Sequence, residues 1–319
     1  MLFTFNCSQV PEWLNANLQA FSGSFSHYFL WRGFRVMFDC GEGAGIRLDD
    51  HVFRVDVLAL SHGHSDHCRG LTGFLESRAF IKGANEKPLK IVFPGDSPMM
   101  RTWIDSGRIS LGSPTEGDAI SHSGIGRTPK EQTSRLAARL DVEFCPVIPG
   151  ATVELRSGRV LQATAVEHVK GESCAAYRVG KKRSRLKAEF SGLPSKEIAT
   201  LKKQMQPAEF QEDYFECELV YSGDCIGLPA GFAADAHALI HEATFLRAED
   251  ADTEKGIHST VESALNCAVK EKARNVILFH SSRRYSDLEL RQGVESMLKH
   301  VGYAEPVFLV RGSFGLPVD

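Results

Sequence analysis

The stretch Val55-Asp56-Val57-Leu58-Ala59-Leu60 runs directly into Ser61-His62-Gly63-His64-Ser65-Asp66-His67. Its first six residues are almost continuously apolar, which is typical of a strand covered on both faces. Gly63 lets the chain turn immediately after that strand. Four potential ligands, three imidazoles and one carboxylate, then fall within six residues. Without a cation these side chains would have to be desolvated or would titrate beside one another, so the stretch predicts a metal-binding loop at a strand end.

The composition is that of a globular protein with a large core and little net charge. Hydrophobic residues make up 43% of the 319 residues, and 37 Lys and Arg stand against 40 Asp and Glu, a formal charge of -3. Because α/β folds of this length commonly form one unit, we predict a single domain over residues 1–319. The charge balance excludes the overall basic field of a general nucleic-acid binder, so any site for a polyanion must be local.

Targeting signals and cysteine usage both predict an intracellular protein. The first cation is Arg32, so the N-terminal segment lacks the charged region of a secretory signal, and no apolar run approaches the length of a membrane span. The eight cysteines are irregularly spaced and include no C-x-x-C pair, which implies neither a disulfide framework nor a thiolate zinc site. We therefore predict a cytoplasmic location.

Polar candidates recur where apolar strands stop. Loops at one end of a sheet converge in space although they are distant in sequence, so these residues can meet the His62 loop. The predicted strands and the residues after them are 160–166 before His168, 217–221 before Asp224, 238–240 before His241 and Glu242, and 276–279 before His280.

Shorter signals define the connecting segments. We predict helices over 69–78 and 97–106, the second with Ser97 as its cap and Pro98 at its first position. Residues 107–129 are rich in Gly, Ser, Thr and Pro without a clear period, which predicts a loop insertion. A strand over 34–38 ends at Asp39, which is either a metal ligand or a structural acceptor for the backbone of the metal loop.

The candidate ligands are enough for two divalent ions. Imidazole and carboxylate suit zinc, and they do not distinguish zinc from manganese or iron. The expected nucleophile is a hydroxide shared by the two ions, which lower the pKa of bound water, and Asp66 can orient it. The assignment is His62, His64 and His168 to one ion, Asp66, His67 and His280 to the other, and Asp224 as the bridge between them.

His258 is the candidate acid that protonates the departing oxygen. Residues 259–262 read Ser-Thr-Val-Glu, which fits a capping box, and His258 would then stand at a rigid helix start. Val261, Leu265, Ala268 and Val269 would share one helical face. Glu242 can hold the imidazole of His258, which suits it for proton transfer. Taken singly, these two residues are also an ordinary surface carboxylate and an ordinary helix-start histidine.

A basic run over 181–187 carries five cations in seven residues and leads to a predicted helix ending near Gln204. Such a run is either a solvated surface or an arm that contacts phosphates beside the active site. The candidate phosphate contacts are Lys181, Lys182, Arg183 and Arg185 in the run, and Ser281 and Arg283 beside His280.

These motifs together resemble a known superfamily. The H-x-H-x-D-H loop with His168, Asp224 and His280 is similar to the metallo-β-lactamase superfamily, which implies an α/β fold, a four-layer αββα sandwich with a dinuclear site at its edge. More narrowly, the chain from Phe25 to Tyr285 resembles ribonuclease Z, the endonuclease that removes 3′ trailers from precursor tRNA. The motifs that carry this second resemblance are Phe38-Asp39-Cys40-Gly41-Glu42-Gly43, Tyr221-Ser222-Gly223-Asp224, His241-Glu242-Ala243-Thr244, His258-Ser259-Thr260 and Phe279-His280-Ser281-Ser282-Arg283-Arg284-Tyr285.

The resemblance implies two Zn²⁺ ions, an RNA or tRNA substrate, a homodimer, and roles in proton transfer for Glu242 and His258. The sequence departs from the family pattern over residues 180–216, where a basic segment stands in place of the family's glycine- and proline-rich substrate arm. We predict a metal-dependent phosphodiesterase of ribonuclease Z type that acts on RNA. The alternatives are a small-molecule or cyclic-nucleotide phosphodiesterase on the same fold, which a missing arm would favour, and a non-catalytic RNA-binding subunit.

Overall fold

The computed structural model describes residues 1–81, 88–111, 140–251 and 257–315. The strands in these ranges are β1 (Leu2–Phe5), β2 (Leu18–Gly23), β3 (Ser26–Trp31), β4 (Val36–Phe38), β5 (Val57–Ala59), β6 (Leu89–Pro94), β7 (Val142–Val147), β8 (Thr152–Glu154), β9 (Val160–Val166), β10 (Cys174–Leu186), β11 (Gln211–Tyr221), β12 (Ala238–Glu242), β13 (Val276–Phe279), β14 (Val307–Val310) and β15 (Gly312–Phe314). The α-helices are α1 (Glu12–Asn17), α2 (Ala44–Leu48), α3 (Ser65–Cys68), α4 (Leu71–Ile81), α5 (Pro98–Ser110), α6 (Ser195–Gln204), α7 (Pro207–Phe210), α8 (Ala248–Ala251), α9 (Val261–Glu271) and α10 (Asp287–Val301).

Two mixed sheets lie face to face between layers of helices. One sheet has the strand order β1-β14-β13-β12-β11-β10-β9-β8, and the other has the order β15-β2-β3-β4-β5-β6-β7. Strands β11 to β14 run parallel to one another, as do strands β4 to β7. This is the predicted αββα sandwich, and the prediction of fold class is confirmed. Within the described ranges, no helix is long and apolar enough to cross a bilayer.

The central strands of each sheet are buried on both faces, which explains the continuous apolar runs in the sequence. In β13, Val276 and Leu278 pack in the core under α9 and α10, whereas Ile277 and Phe279 face the other sheet. In β5, Leu58 packs with residues of α4 on the opposite outer face. The parallel strands thus end at one edge of the sandwich, where the polar residues that follow them gather.

Two helix predictions need correction. Helix α5 begins as predicted, since the Ser97 hydroxyl accepts from the Met100 N–H and Pro98 follows it, but the helix continues to Ser110. Placing 107–110 in the loop insertion is therefore wrong, and 112–129 lie outside the described residues. The prediction ended the helix at 106 because Gly107 was interpreted as a helix breaker. Gly107 instead allows close helix packing, because a Cβ there would lie 3.1 Å from a methyl carbon of Leu75 on α4.

The predicted capping box before α9 is also wrong. Thr260, not Ser259, is the cap, and its hydroxyl accepts from the Ser263 N–H. Val269 does not share the buried face, because it is 45% exposed whereas Val261 is 1% exposed. Eight residues at 3.6 per turn rotate a side chain by about 80°, which is enough to bring Val269 out of the core.

The basic run forms a strand that projects beyond the sheet. Strand β9 pairs with β10 only as far as Gly180, whereas β10 and β11 stay paired out to Leu186 and Gln211. We call residues 181–216, this two-stranded extension with α6 and α7 at its end, the arm. Within it, the Arg183 Nε lies 2.9 Å from a carboxylate oxygen of Glu216, and the Arg185 Nε lies 2.8 Å from one of Glu212.

A close backbone approach holds the metal loop in place. The Gly70 N–H donates to the Cys40 carbonyl over 2.8 Å, and a Cβ on Gly70 would lie 2.0 Å from the Gly41 carbonyl oxygen. We expect Gly70→Ala to lower the free energy of unfolding by about 2–3 kcal/mol, because the backbone must shift to admit a methyl group. Gly73→Ala is the matched control, since a Cβ there meets nothing within 4 Å. In α4 that change removes a poor helix former and adds up to about 1 kcal/mol. Equal denaturation midpoints for the two variants would contradict the expectation.

Candidate metal centre and active site

Residues at or just after the ends of five strands build one cluster of ionisable side chains. The loop after β5 supplies 62–67, His168 and Asp224 follow β9 and β11, Glu242 is the last residue of β12, and His280 follows β13. One carboxylate oxygen of Asp224, Oδ2, lies 3.1 Å from the His280 Nε2 and 3.3 Å from the His67 Nε2. The structure therefore brings both sheets together at this point, and all seven residues predicted as ligands lie here. Their role as ligands stays a prediction.

One group of donors surrounds a first position. Its ligand atoms all lie within 4.8 Å of one another and come from His62, His64, His168 and Asp224. The His168 Nδ1 donates to the Ile257 carbonyl over 2.6 Å, which fixes the tautomer and leaves the Nε2 lone pair facing His64. Burial and the neighbouring imidazole of His67 lower the pKa of His62 well below its ordinary value, so this ring is neutral and able to act as a ligand.

A second group surrounds a neighbouring position and contains a residue that the sequence did not single out. Its members are His27, Asp66, His67 and His280. The Asp66 Oδ2 lies 3.6 Å from the His67 Nε2 and 3.4 Å from the His280 Nε2. Burial would raise the pKa of Asp66, but His67 and the hydrogen bond to His280 outweigh it and hold that pKa well below its usual range. His27 comes from inside strand β3, so no strand-end pattern marked it.

Asp39 is a structural acceptor rather than part of either group. Its Oδ1 accepts from the Ser61 N–H over 2.7 Å, and its Oδ2 accepts from the Ser61 hydroxyl, the His67 Nδ1 and the Tyr221 hydroxyl over 2.8, 2.6 and 2.5 Å. The second of the two interpretations of Asp39 is therefore correct. By holding the Nδ1 of His67, Asp39 turns the Nε2 of that ring towards the second position. Burial disfavours charge on His67, but Asp224, Asp39 and Asp66 together raise its pKa well above the ordinary value.

The donor set fits two divalent cations. Among the described residues, the His62 Nε2, the His67 Nε2 and both carboxylate oxygens of Asp224 are buried without a hydrogen-bond partner. Each such atom costs about 1–3 kcal/mol unless it is paired, and four of them in one cluster point to cations. Donors bound to one ion at 2.0–2.1 Å lie roughly 2.8–3.4 Å apart in octahedral or tetrahedral geometry. The shortest donor separations here, 3.1–3.4 Å, fall in that range.

His258 and Glu242 stand beside this centre as a hydrogen-bonded pair. The His258 Nδ1 lies 3.1 Å from the Glu242 Oε1 and 3.8 Å from the Asp224 Oδ2. Glu242 is fully buried, and its oxygens also accept from the Cys225 N–H and from the Thr244 N–H and hydroxyl. Burial opposes protonation of His258, but the hydrogen bond and charge of Glu242 and the charge of Asp224 raise its pKa to about 9. This imidazole therefore carries a proton at neutral pH.

Comparison with known proteins assigns the chain to a family. The model of the metallo-beta-lactamase superfamily matches residues 27–132. The ribonuclease Z of Methanococcus maripaludis strain C6 is 31% identical over 260 residues, which cover 79% of this chain and 80% of the relative. The chain belongs to the ribonuclease Z family. It is thus a metal-dependent hydrolase, in agreement with the prediction from the sequence.

Other relatives extend the likeness. The chloroplastic tRNase Z TRZ2 of Arabidopsis thaliana is 27% identical over 82% of this chain and 65% of its own length. Among solved structures, the short form of human tRNase Z superposes with a TM-score of 0.55 and 18% identity, covering 95% of this chain and 99% of that one. The metallo-beta-lactamase fold protein YhfI from Bacillus subtilis superposes with a TM-score of 0.56 and 15% identity, covering 93% and 97%. These two structures support the fold alone.

In this ribonuclease Z family member, a polar pocket opens over the second group of donors. The rim includes Ser24, Ser281 and Arg283, and the Arg283 Nε donates to the Ser24 hydroxyl over 2.7 Å. The structure therefore places two of the six candidate phosphate contacts, Ser281 and Arg283, at the site. The other four lie on the arm, and no described residue of the arm lines this pocket.

Thr244 is a second residue whose role the sequence did not reveal. Its hydroxyl donates to the Glu242 Oε2 and accepts from the His280 Nδ1, with 2.7 Å for each contact. One hydroxyl thus couples the residue that holds His258 to a residue of the second group. The motif His241-Glu242-Ala243-Thr244 was visible in the sequence, but only the fold shows that the Thr244 side chain reaches the neighbouring strand end.

Proposed function

We propose that this member of the ribonuclease Z family is a dinuclear zinc endoribonuclease that removes the 3′ trailer of precursor tRNA. The observation that carries the proposal is the Glu242–His258 pair, whose imidazole lies 3.8 Å from Asp224, the carboxylate adjoining both groups of donors. Hydrolysis of a phosphodiester in RNA releases an alkoxide, which is a poor leaving group unless it is protonated as it departs. A protonated imidazole placed beside a two-cation donor set matches that requirement.

Each residue then has a definite task. The two groups of donors would hold two divalent ions, which when bound would supply Lewis-acid activation of water and positive charge beside the phosphate. Asp224 lies between the groups and would hold both ions, and Asp66, which lines the pocket, would orient the attacking water. Glu242 fixes the ring of His258 through its Nδ1, which leaves the Nε2 to give a proton to the departing oxygen. Thr244 keeps both Glu242 and His280 in position.

Zinc is the proposed metal. The described donors are imidazoles and carboxylates without a thiolate, which suits zinc and also manganese and iron. Buried imidazoles favour zinc over the hard cations Mg²⁺ and Ca²⁺, which take oxygen ligands. Elemental analysis after expression in metal-replete medium tests the choice, and two manganese or iron atoms per chain would contradict it.

The arm supports a large substrate. The alternative of a small-molecule substrate was favoured by a missing arm, whereas residues 181–216 form a projecting two-stranded structure with eight cations and six acids. Arg183 and Arg185 are engaged with Glu216 and Glu212, so contact with phosphate would have to replace these carboxylates. Lys182 and Lys203 are exposed and better placed to contact the phosphate backbone of an RNA. We propose that the arm contacts the tRNA body, while Ser281 and Arg283 contact phosphates at the pocket rim.

The resemblance to the family also leads us to propose a homodimer in the cytoplasm. Exposed apolar side chains on neighbouring helices, Ile46 on α2 and Phe80 on α4, provide surface for such an interface. Sedimentation equilibrium at micromolar concentration tests the dimer, because a monomer mass would contradict it.

A comparison of three substrates tests the function. We expect cleavage of a precursor tRNA with a 3′ trailer at its mature 3′ end, slow hydrolysis of bis(p-nitrophenyl) phosphate, and no hydrolysis of a cyclic nucleotide. Rapid turnover of the small esters without cleavage of precursor tRNA would overturn the proposal.

The arm is tested by the double substitution Lys182→Glu with Lys203→Glu. We expect the KM for precursor tRNA to rise about tenfold at low salt and its salt dependence to become shallower, because phosphate contacts are lost. Turnover of bis(p-nitrophenyl) phosphate should not change, since this ester does not reach the arm. Lys299→Glu on α10, another exposed lysine, is the matched control. An unchanged KM for the double variant would support the other interpretation of the basic run, a solvated surface without a role in substrate binding.

A further inference from the structure

His27 lies inside the pocket, although strand β3 is otherwise apolar apart from Ser26. The side chain is 2% exposed and lines the pocket over the second group of donors. Its Nε2 lies 3.6 Å from the Asp66 Oδ2, the same separation as that between the His67 Nε2 and this oxygen. The ring stacks on both neighbouring imidazoles, with centroid distances of 4.9 Å to His67 and 4.4 Å to His280. His27 thus occupies the same relation to Asp66 as a residue of the proposed ligand set.

The far nitrogen of each of these three imidazoles is held in the same way. The His67 Nδ1 is 2.6 Å from the Asp39 Oδ2, and the His280 Nδ1 is 2.7 Å from the Thr244 hydroxyl. The His27 Nδ1 is 3.2 Å from the Ser22 hydroxyl, which also accepts the His280 N–H over 3.1 Å. Outer partners of this kind orient metal-bound histidines and leave the Nε2 lone pair towards the ion.

The separation from Asp66 distinguishes a ligand from a hydrogen-bonded neighbour. At 3.6 Å the two atoms are too far apart for a hydrogen bond, and the His67 Nε2, a proposed ligand of the same position, lies at the same distance from this oxygen. A histidine that served only the packing of β3 would have no reason to direct its Nε2 at a carboxylate among other donors. The geometry is therefore that of coordination.

We propose that His27 is an additional protein ligand of the second metal position, which then has the donors His27, Asp66, His67, His280 and the shared Asp224. This inference rests on the metal centre proposed above. The first position has four protein donors, His62, His64, His168 and Asp224. With one donor more, the second position binds its divalent cation more tightly than the first.

The number of metal-bound imidazoles in the wild-type protein tests this directly. In zinc-loaded protein labelled with ¹⁵N-histidine, the chemical shift of a coordinated ring nitrogen differs from that of a free or protonated one. We expect six coordinated imidazoles, with the Nε2 of His27 among them. Two bound ions with only five coordinated imidazoles would overturn the role of His27 and leave the proposed centre intact. Fewer than two bound ions would overturn the centre and this inference together.

Two variants separate coordination from packing. We expect His27→Ala and His27→Phe each to weaken binding of the more tightly held Zn²⁺ by about 10–100-fold in competition with a chromogenic chelator. His27→Phe keeps an aromatic ring in the stack and lacks only the donor. Added imidazole should restore affinity in His27→Ala, where it can enter the cavity, and not in His27→Phe. His300→Ala, on the exposed end of α10, is the control. Wild-type affinity in His27→Phe would show that the ring serves packing alone.

Discussion

Asp224→Ala will abolish catalysis by removing the residue that joins the two groups of donors. Its Oδ2 lies within 3.9 Å of nitrogen atoms from His62, His67, His168, His258 and His280. Two cations held close together need a negative charge between them, which an imidazole does not supply. Loss of several kcal/mol of charge stabilisation corresponds to about 10³–10⁴-fold in kcat for precursor tRNA. Zinc content should fall from two to one or fewer ions per chain, measured by elemental analysis after dialysis.

Charge and shape are separated by Asp224→Asn, which keeps the volume of the side chain. We expect it to retain little more zinc than Asp224→Ala, because a neutral amide oxygen is a weak ligand. Glu271→Gln serves as the matched control. Glu271 is another buried carboxylate, it lies outside the site, and it accepts a hydrogen bond from the Gly231 N–H. Two zinc ions and normal turnover in Asp224→Ala would show that the two groups of donors do not act as one centre.

The parts of this site that could be predicted are those with a local signal. Asp224, Glu242 and His280 each end or follow an apolar strand, and parallel strands bring such ends to one edge. The loop over 62–67 was identified from its spacing alone. The same reasoning anticipated that Asp39 could serve as an acceptor, because a polar turn after β4 lies beside the loop after the parallel strand β5.

The parts that could not be predicted depend on contacts between distant segments. His27 lies inside strand β3 and does not follow a strand end. Only the packing of β3 against β13 shows where its ring lies, with a distance of 6.0 Å between the ring centroids of His27 and Phe279. The role of Thr244 depends on a contact of its hydroxyl with His280, which follows the neighbouring strand β13. An arm was one of the two interpretations of the basic run, but its two-stranded form was not predicted, because strand residues 181–186 and 211–216 are mostly polar and lack the alternating or continuous apolar pattern of a strand. In its register Arg185 lies opposite Glu212, with which it forms an exposed ion pair.

His258→Ala will slow cleavage of precursor tRNA while leaving the metal ions bound. Loss of a positioned general acid costs about 10²–10⁴-fold in kcat. The nitrophenolate of bis(p-nitrophenyl) phosphate leaves without a proton, so hydrolysis of this ester should be nearly unchanged. Zinc content should stay at two ions per chain, because the His258 Nδ1 is 3.1 Å from the Glu242 Oε1, although His258 also forms a third possible donor group with Asp224 and His280. Parallel measurement of the two substrates and of zinc in one preparation checks all three expectations.

The pH dependence provides an independent test of the same role. Glu242 and Asp224 raise the pKa of His258 to about 9, so the protonated form is present at neutral pH and is lost as pH rises through that value. Cleavage of precursor tRNA should therefore decline at alkaline pH, and Glu242→Gln should move this decline to lower pH, because the carboxylate that favours the charged ring is gone. His300→Ala, which changes an exposed histidine, should leave the profile as in the wild type. If His258→Ala loses zinc, or slows both substrates equally, His258 holds a metal or supports the fold and is not the acid that protonates the departing oxygen.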